Sequence, residues 1–375
     1  MDDKYILEPI TFKYYRVFDD VERFPEAWAY IVIGGRNTGK TYGALDELMI
    51  KQIPYIFIKR TNDDVKLLCT KGKDKKQKVD VSPYKSINRD RGCNIQAFSI
   101  EKGLGGFYPT QDGEISGDMI GYLLSLYAAG KYKGSDFSEC DFAVFDEFIP
   151  QPWERINRKE GEQLADLIKT VSRDRVLRGR PELKLLAFAN AVNVYNPTCE
   201  FLGLTNDIAM MSQLQKVKDE NGNAQTCYMY DKQRKIFVRV LPTPEEMMNA
   251  EKNTGLFATL HETEWGQMAW GNEFAYNDFS CVKKLSLKKA KPLCSVTHKK
   301  KTYYIYNTES GKYMCSSKFN QRTASYNLNR ESEVKRFYYS EVMYFMDDII
   351  DGRMFFEQYS MYDLIFNYKL RFKVT

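Results

Sequence analysis

Gly34-Gly35-Arg36-Asn37-Thr38-Gly39-Lys40-Thr41 follows the apolar run Ala29-Tyr30-Ile31-Val32-Ile33 and opens a helix-compatible stretch, Tyr42 to Met49. Every required position of the phosphate-binding loop G-x-x-x-x-G-K-[ST] is present. A strand that feeds a glycine-rich turn into a helix aims consecutive backbone N–H groups, and the positive end of the helix dipole, at one anion. Gly34 and Gly39 supply backbone freedom, Lys40 reaches the β- and γ-phosphates, and Thr41 offers its hydroxyl to Mg2+. Gly35, Arg36, Asn37 and Thr38 complete the cradle. The competing reading, an ordinary glycine-rich turn, is weakened by the strand–loop–helix setting. The stretch therefore predicts a site for a nucleoside triphosphate, with ATP and Mg2+ as its ligands, and an α/β fold around it.

A second motif points to hydrolysis. Asp141-Phe142-Ala143-Val144-Phe145-Asp146-Glu147-Phe148 reads as an apolar strand ending in two adjacent acids. Ligands of open α/β sheets sit at the carboxyl ends of the parallel strands, so acids there face the nucleotide. Asp146 is placed to hold Mg2+, and Glu147 to orient and deprotonate a water for attack on the γ-phosphate. A built-in acid of this kind separates hydrolases from kinases and from switch GTPases.

Strands alternating with helical stretches predict a mostly parallel, covered sheet. Tyr55-Ile56-Phe57-Ile58 reads as the second strand. Cys93 to Ile100 and Gly117 to Tyr122 read as short strands flanking the turn Gln111-Asp112-Gly113-Glu114. Gly161 to Val171 reads as a helix with Leu164, Leu167, Ile168 and Val171 on one face. Leu183 to Ala189 reads as the last strand. Asn190 follows it at the nucleotide edge, where a carboxamide can sense the γ-phosphate or hold the water; a loop-initiating asparagine is the equal alternative. Between these elements lies Val171-Ser172-Arg173-Asp174-Arg175-Val176-Leu177-Arg178. An arginine here could complete a neighbouring subunit's site, since a guanidinium stabilises charge on a transferring phosphoryl group. Taken by composition alone, a solvated basic helix end is the simpler reading.

At 375 residues the chain is long enough for two or three domains. It has no apolar run fit to span a bilayer, and its acidic, polar N-terminus is unlike a signal peptide. The eight cysteines are scattered without a C-x-x-C pair, and His261 and His298 are the two histidines, which argues for reduced thiols and against zinc. A net charge of +5 is too mild to establish a nucleic-acid partner. The lysines are nevertheless clustered, at Lys71, Lys73, Lys75, Lys76 and Lys78, which read as a mobile loop. Further along come Lys283, Lys284, Lys288, Lys289 and Lys291, then Lys299, Lys300 and Lys301. In an ATPase such clusters hint at a polyanion.

The glycine-rich loop, Val144 to Ile149, Arg173-Asp174-Arg175 and Asn190-Ala191-Val192-Asn193-Val194-Tyr195-Asn196-Pro197 together resemble the small DNA-packaging ATPases, or DNA encapsidation proteins, of phi29-like short-tailed phages. Thr263-Glu264-Trp265-Gly266-Gln267-Met268, with Asn272-Glu273-Phe274, resembles that family's stretch leading into its C-terminal domain. The resemblance implies a P-loop ATPase of the ASCE class (additional strand, catalytic glutamate). It would work as a homomeric ring, typically a pentamer, at the portal, or connector, of a procapsid, driving double-stranded DNA inside. Such a protein acts in the host cytoplasm and transiently at the portal vertex, with no membrane partner, and the family admits a packaging RNA. By the same resemblance Arg173 matches the arginine acting in trans, with Arg175 as runner-up, and Lys133 matches a basic residue at the subunit interface. Arg36 within the loop is a family trait.

The expected organisation is an ATPase domain over 1–200, a linker or lid over 201–277, and a smaller α+β C-terminal domain over 278–375. Thr302-Tyr303-Tyr304-Ile305-Tyr306 and Lys312-Tyr313-Met314-Cys315 read as a hairpin, followed by helical stretches Ser340 to Met346 and Met354 to Phe366. The place matches the RNase H-like nuclease of large terminases. Its strands offer Thr, Tyr, Lys and Cys where metal-binding carboxylates belong, so a vestigial nuclease fold without nuclease activity, serving to bind nucleic acid or the portal complex, is expected. The loop Gln151 to Lys159 is placed by position to line the pore. A helicase or secretion-type ATPase, and a non-motor protein switched by ATP, are the alternative functions.

Overall fold

The computed structural model describes residues 4–69, 81–151, 153–154, 157–270, 274, 277 and 279–374. The lysine cluster from Lys71 to Lys78, Asn272 and Glu273 lie outside them. The chain divides into two compact units, Met1–Tyr276 and Asn277–Thr375.

The first unit is built on one sheet of β1 (Ile6–Pro9), β2 (Ala29–Gly34), β3 (Tyr55–Lys59), β4 (Ile95–Glu101), β5 (Leu104–Gln111), β6 (Glu114–Ile115), β7 (Gly121–Ser125), β8 (Phe142–Asp146), β9 (Lys184–Ala189), β10 (Gln225–Asp231) and β11 (Ile236–Leu241). Their order is β1-β10-β11-β2-β9-β8-β3-β7-β5-β4, with β6 paired to β5. From β11 through to β7 every pairing is parallel. The flanking pairs on both sides are antiparallel. Strands buried on both faces read as continuous apolar runs; β2, β3 and β8 do so, and all six residues of β2 are buried. Strand β9 lies between β2 and β8, and thus separates the strand that feeds the glycine-rich loop from the strand that ends in the acids.

Two differences from the sequence reading matter. Residues 201–277 are not a separate linker, because β10 and β11 extend the central sheet and β11 pairs in parallel with β2. Leu183 to Ala189 is consequently not the last strand, and the turn at Asp112-Gly113 is flanked by β5 and β6, with the strand expected at Gly117 to Tyr122 running instead over Gly121–Ser125.

Helices α1 (Val17–Arg23), α2 (Lys40–Ile50), α3 (Asn62–Leu68), α4 (Lys85–Arg91) and α5 (Glu160–Ser172) occupy the stretches between strands. A capping box starts α3: Thr61 Oγ1 accepts from the Asp64 backbone N–H, and Asp64 returns the bond to Thr61. In α5, Leu164, Leu167 and Val171 are buried at helical spacing, with Ile168 half-buried. An apolar cluster containing Tyr30, Val32, Leu45, Phe57, Val144, Phe188 and Phe237 fills one face of the sheet. Each such side chain contributes about 1.5–3 kcal/mol by leaving water.

One buried ion pair braces the glycine-rich loop. Arg239 of β11 donates to both oxygens of Asp20 on α1, at 2.7 and 2.5 Å, and Tyr15 Oη donates to the same carboxylate at 2.6 Å. The Tyr15 backbone N–H in turn donates to Thr38 O at 2.9 Å. Removing one member of a buried pair leaves an uncompensated charge. Arg239→Ala is expected to cost about 3–5 kcal/mol in chemical denaturation. The triple change Arg239→Met, Asp20→Leu and Tyr15→Phe, which also removes the Tyr15 hydroxyl that Asp20 accepts from, should recover most of that loss.

The second unit has a sheet of β12 (Lys291–His298), β13 (Lys301–Thr308), β14 (Gly311–Cys315), β15 (Ala324–Asn327) and β16 (Met354–Phe356), in the order β15-β12-β13-β14-β16. The expected hairpin is β13–β14. Its partner β12 takes up Lys291, and the turn between β12 and β13 presents Lys299 and Lys300. Met354–Phe356 is a strand and not the start of a helix: it pairs in parallel with Lys312–Met314, and the helix begins only at Tyr359. Pairing with a strand distant in sequence overrides the local apolar periodicity here. The other expected helix is longer than read, running from Glu331 to Ile350 through a π-helical turn at Tyr338–Val342.

Candidate functional site

Register brings the chemistry to one edge. Ile33 pairs with Ala189, Asp146 with Phe188, and Ile58 with Phe145. The residues that close or follow these strands, Gly34, Asn190, Asp146 and Lys59, therefore sit at one end of the parallel sheet. A cavity of about 1010 Å³ opens there, lined by Arg36 to Gly43, Asp146, Glu147 and Asn190, with Tyr14, Tyr15, Arg16 and Glu47. This is the switch-point location expected for ligands of a doubly wound sheet.

The loop is held by close packing. Gly35 faces Thr243, whose Oγ1 lies 2.2 Å from where a Cβ would stand, so a side chain at Gly35 would displace the loop. Gly39 adopts φ +88°, the left-handed region that glycine enters without penalty, and α2 starts at the next residue. Arg36 donates its backbone N–H to Ala269 O at 3.4 Å, and its guanidinium lies 5.7 Å from the Trp265 ring centroid. The 263–269 stretch thus closes over the loop, which gives the Trp265 segment a physical role.

Lys40 folds back onto its own loop. Nζ donates to Gly34 O at 2.9 Å, Gly35 O at 2.7 Å and Thr38 Oγ1 at 3.1 Å. Burial lowers its ammonium to about 8, against the opposing pull of Asp146 and Glu147. Phosphate binds the charged form, so raising the pH through 8 makes ATP binding recapture a proton, and apparent affinity falls. The dissociation constant of a non-hydrolysable ATP analogue should rise about tenfold between pH 7 and pH 9. The same titration on Lys40→Arg should be flat, because a guanidinium stays charged throughout.

Thr41 Oγ1 donates to Asp146 Oδ1 at 2.7 Å, placing a hydroxyl and a carboxylate side by side. Hard oxygen donors of this kind suit Mg2+. Glu147 follows in the left-handed region at φ +56° and lines the cavity, with Asn190 opposite it on the adjoining strand end.

Lys59 was not singled out in the sequence. Its Nζ lies 2.9 Å from Asp146 Oδ2 and 3.3 Å from Glu147 Oε2, joining the two acids. Burial depresses its pKa, but the two carboxylates outweigh that and hold it above the ordinary lysine value. The available signal was a lysine closing an otherwise apolar strand, at the edge where ligands bind.

The arginines separate clearly. Arg175 is 1% exposed, pairs with Asp141, and donates to Cys140 O and to Pro181 O, the latter at 2.7 Å. It is a buried strut, and the reading of Arg175 as a residue reaching a neighbour is withdrawn. Arg173 is exposed just beyond α5, at φ +34°, and donates to Ser135 O. Lys133 is exposed nearby and pairs with Asp166 of α5 at 3.2 Å. Neither Arg173 nor Lys133 lines the nucleotide cavity. The distinctive Asn190–Pro197 segment ends by starting a helix: Asn196 Oδ1 accepts from the Cys199 N–H at 2.9 Å, with Pro197 in the first turn.

Residues 26–335 match the model of the podovirus DNA encapsidation protein (Gp16) family. The chain belongs to that family. It is 24% identical over 277 residues to the DNA packaging protein of Bacillus phage B103, covering 72% of this chain and 70% of that protein. Its fold is similar to that in the viral genome packaging motor assembly of bacteriophage phi-29, with a TM-score of 0.62 and 15% identity over 96% of this chain and all of that one. A second similar fold is that of the Phi-28 gp11 DNA packaging motor, with a TM-score of 0.55 and 16% identity over 96% of this chain and 97% of that one. As a member of the DNA encapsidation family the protein serves viral DNA packaging, and the cavity described above is its candidate nucleotide site.

Proposed function

We propose that the protein works as a homomeric ring, a pentamer by family resemblance, that moves double-stranded DNA through the portal of a procapsid. One observation carries this reading. Lys40, Thr41, Asp146, Glu147 and Asn190 line a single cavity, whereas exposed Arg173 lies outside it. Such a site has a nucleophile activator and phosphate ligands of its own, and an exposed arginine outside its cavity that can serve another subunit.

In the proposed cycle the loop N–H groups and Lys40 hold the triphosphate. Thr41 and Asp146 would hold Mg2+, which when bound neutralises charge on the phosphate oxygens. Glu147 takes a proton from water as it attacks the γ-phosphate, and Asn190 orients that water. Arg173 of one subunit stabilises the phosphoryl charge in the next, and Lys133 supports the same interface beside α5.

Exposed Lys283, Lys284, Lys288, Lys289, Lys299 and Lys300 suit contact with nucleic-acid phosphate, whether DNA or a packaging RNA. Trp153 and Lys159, exposed in the loop after β8, suit contact with DNA in the pore. Among the described residues, none of the five strands in the second unit carries a carboxylate, and Asp348 is paired with Lys312 and Arg353. Both points support a binding role without nuclease activity. The setting is the host cytoplasm and, during packaging, the portal vertex.

The test is specific ATPase activity against protein concentration, with and without double-stranded DNA. Activity that climbs with concentration, and again with DNA in a salt-sensitive manner, is expected. Activity flat in both would overturn the shared-site ring.

A further inference from the structure

Arg60, next to Lys59, is buried where three separate parts of the chain meet. Its Nη2 donates to Glu147 O at 2.9 Å and to Phe148 O at 3.0 Å. Its Nε donates to Glu160 Oε2 at 2.8 Å, and its Nη1 to Glu154 Oε2 at 3.0 Å. Glu160 is wholly buried at the head of α5, and Tyr127 Oη donates to it at 3.4 Å. Glu154 Oε2 also accepts the Gln151 N–H at 3.1 Å, which closes the loop after the acid strand onto the same centre.

These contacts bear on Glu147 in a particular way. A non-glycine residue at φ +56° pays about 1 kcal/mol or more, and persists only where its surroundings impose it. The carbonyl of the Glu147–Phe148 peptide and the next one along, Phe148 O, are both held by one planar guanidinium. That guanidinium is itself fixed by carboxylates from the following loop and from α5. Lys59 meets the Glu147 side chain while Arg60 meets its backbone, so the last residue of β3 and its successor grip the same acid from two sides.

We infer that Arg60 is a positioning residue for hydrolysis: it fixes the backbone of Glu147 and makes the aim of that carboxylate depend on the 148–159 loop and on α5. The inference rests on Glu147 being the water-activating acid. A lysine cannot replace Arg60, because an ammonium cannot serve two carbonyls and two carboxylates in a planar fork. A residue that only stabilised the fold would lower protein stability and leave the catalytic constant of the folded fraction intact.

The experiment compares Arg60→Lys, Glu160→Gln, Glu147→Gln and the double variant Arg60→Lys/Glu147→Gln. Each is measured for folding by thermal denaturation, for ATP affinity with a fluorescent analogue, and for single-turnover hydrolysis. Arg60→Lys is expected to keep ATP affinity within about twofold while hydrolysis falls roughly ten- to a hundredfold, as when catalytic geometry is misplaced. Glu160→Gln, which preserves volume and one acceptor, should show a smaller loss of the same kind and serves if Arg60→Lys does not fold. In the double variant the Arg60 change should add nothing to the residual rate of Glu147→Gln.

Unchanged hydrolysis in both folded single variants would overturn the inference. So would an Arg60 effect that multiplies undiminished onto Glu147→Gln, which is the signature of independent structural damage. Full hydrolysis by Glu147→Gln alone would instead remove the assignment of the acid itself, a separate failure.

Discussion

Glu147→Gln is expected to bind ATP as the unaltered protein does and to hydrolyse it about 10²–10⁴-fold more slowly, the range general-base catalysis supplies. The amide keeps the shape of the side chain and loses only the ability to accept a proton. In the proposed site the triphosphate is held elsewhere, by the loop N–H groups, Lys40 and Thr41, so affinity should not move. Quenched single-turnover assays with excess enzyme separate the chemical step from product release. A normal rate in that assay would mean that a different group activates the water. The substitution also takes one negative charge from beside Lys59, which retains Asp146 at 2.9 Å. Asp146 therefore stays paired, and the carboxylate proposed to hold Mg2+ is not disturbed by the change.

Arg173→Ala should leave ATP binding intact and slow hydrolysis in assembled rings by about 10³-fold or more, the scale of arginine fingers acting on phosphoryl transfer. Arg173 does not line the cavity of its own chain, so its loss should be felt only by a neighbour. That separation permits a complementation test. Arg173→Ala subunits keep Glu147, and Glu147→Gln subunits keep Arg173. A mixture of the two should hydrolyse ATP well above the sum of the separate preparations. A mixture no more active than that sum would show that Arg173 does not act in trans. Lys133→Ala should behave as a weaker member of the same class, because its ion pair with Asp166 lies on the same flank of α5.

What was legible in the chain was mostly local. The glycine-rich loop and the Asp146-Glu147 strand end are defined by adjacent residues, and α5 by an apolar stripe within one helix. The second half of the central sheet was not legible in that way. The β10–β11 hairpin is local, but the parallel pairing of Ile236–Leu241 with Ala29–Gly34 joins segments far apart in sequence. No turn signal announces such a pairing, and so a domain boundary was expected where the sheet continues. Met354–Phe356 shows the same effect in the second unit.

Side-chain roles divided by burial. Arg173 and Arg175 differ by two positions and carry the same charge. Only the end of α5 at Ser172, and the left-handed Arg173 that follows, turn one outward and return the other to Asp141. Lys59 and Arg60 were hidden for a related reason. Their meaning comes from Asp146, Glu147 and Glu160, which tertiary structure alone brings to the end of β3.

The most direct measurement is DNase protection of double-stranded DNA in a reaction containing procapsids, ATP and either the unaltered protein or Glu147→Gln. The account predicts protected DNA with the unaltered protein, and none with the variant even though it binds ATP. Protection by Glu147→Gln equal to that of the unaltered protein would contradict it, as would an active hydrolase that protects no more DNA than a reaction lacking it.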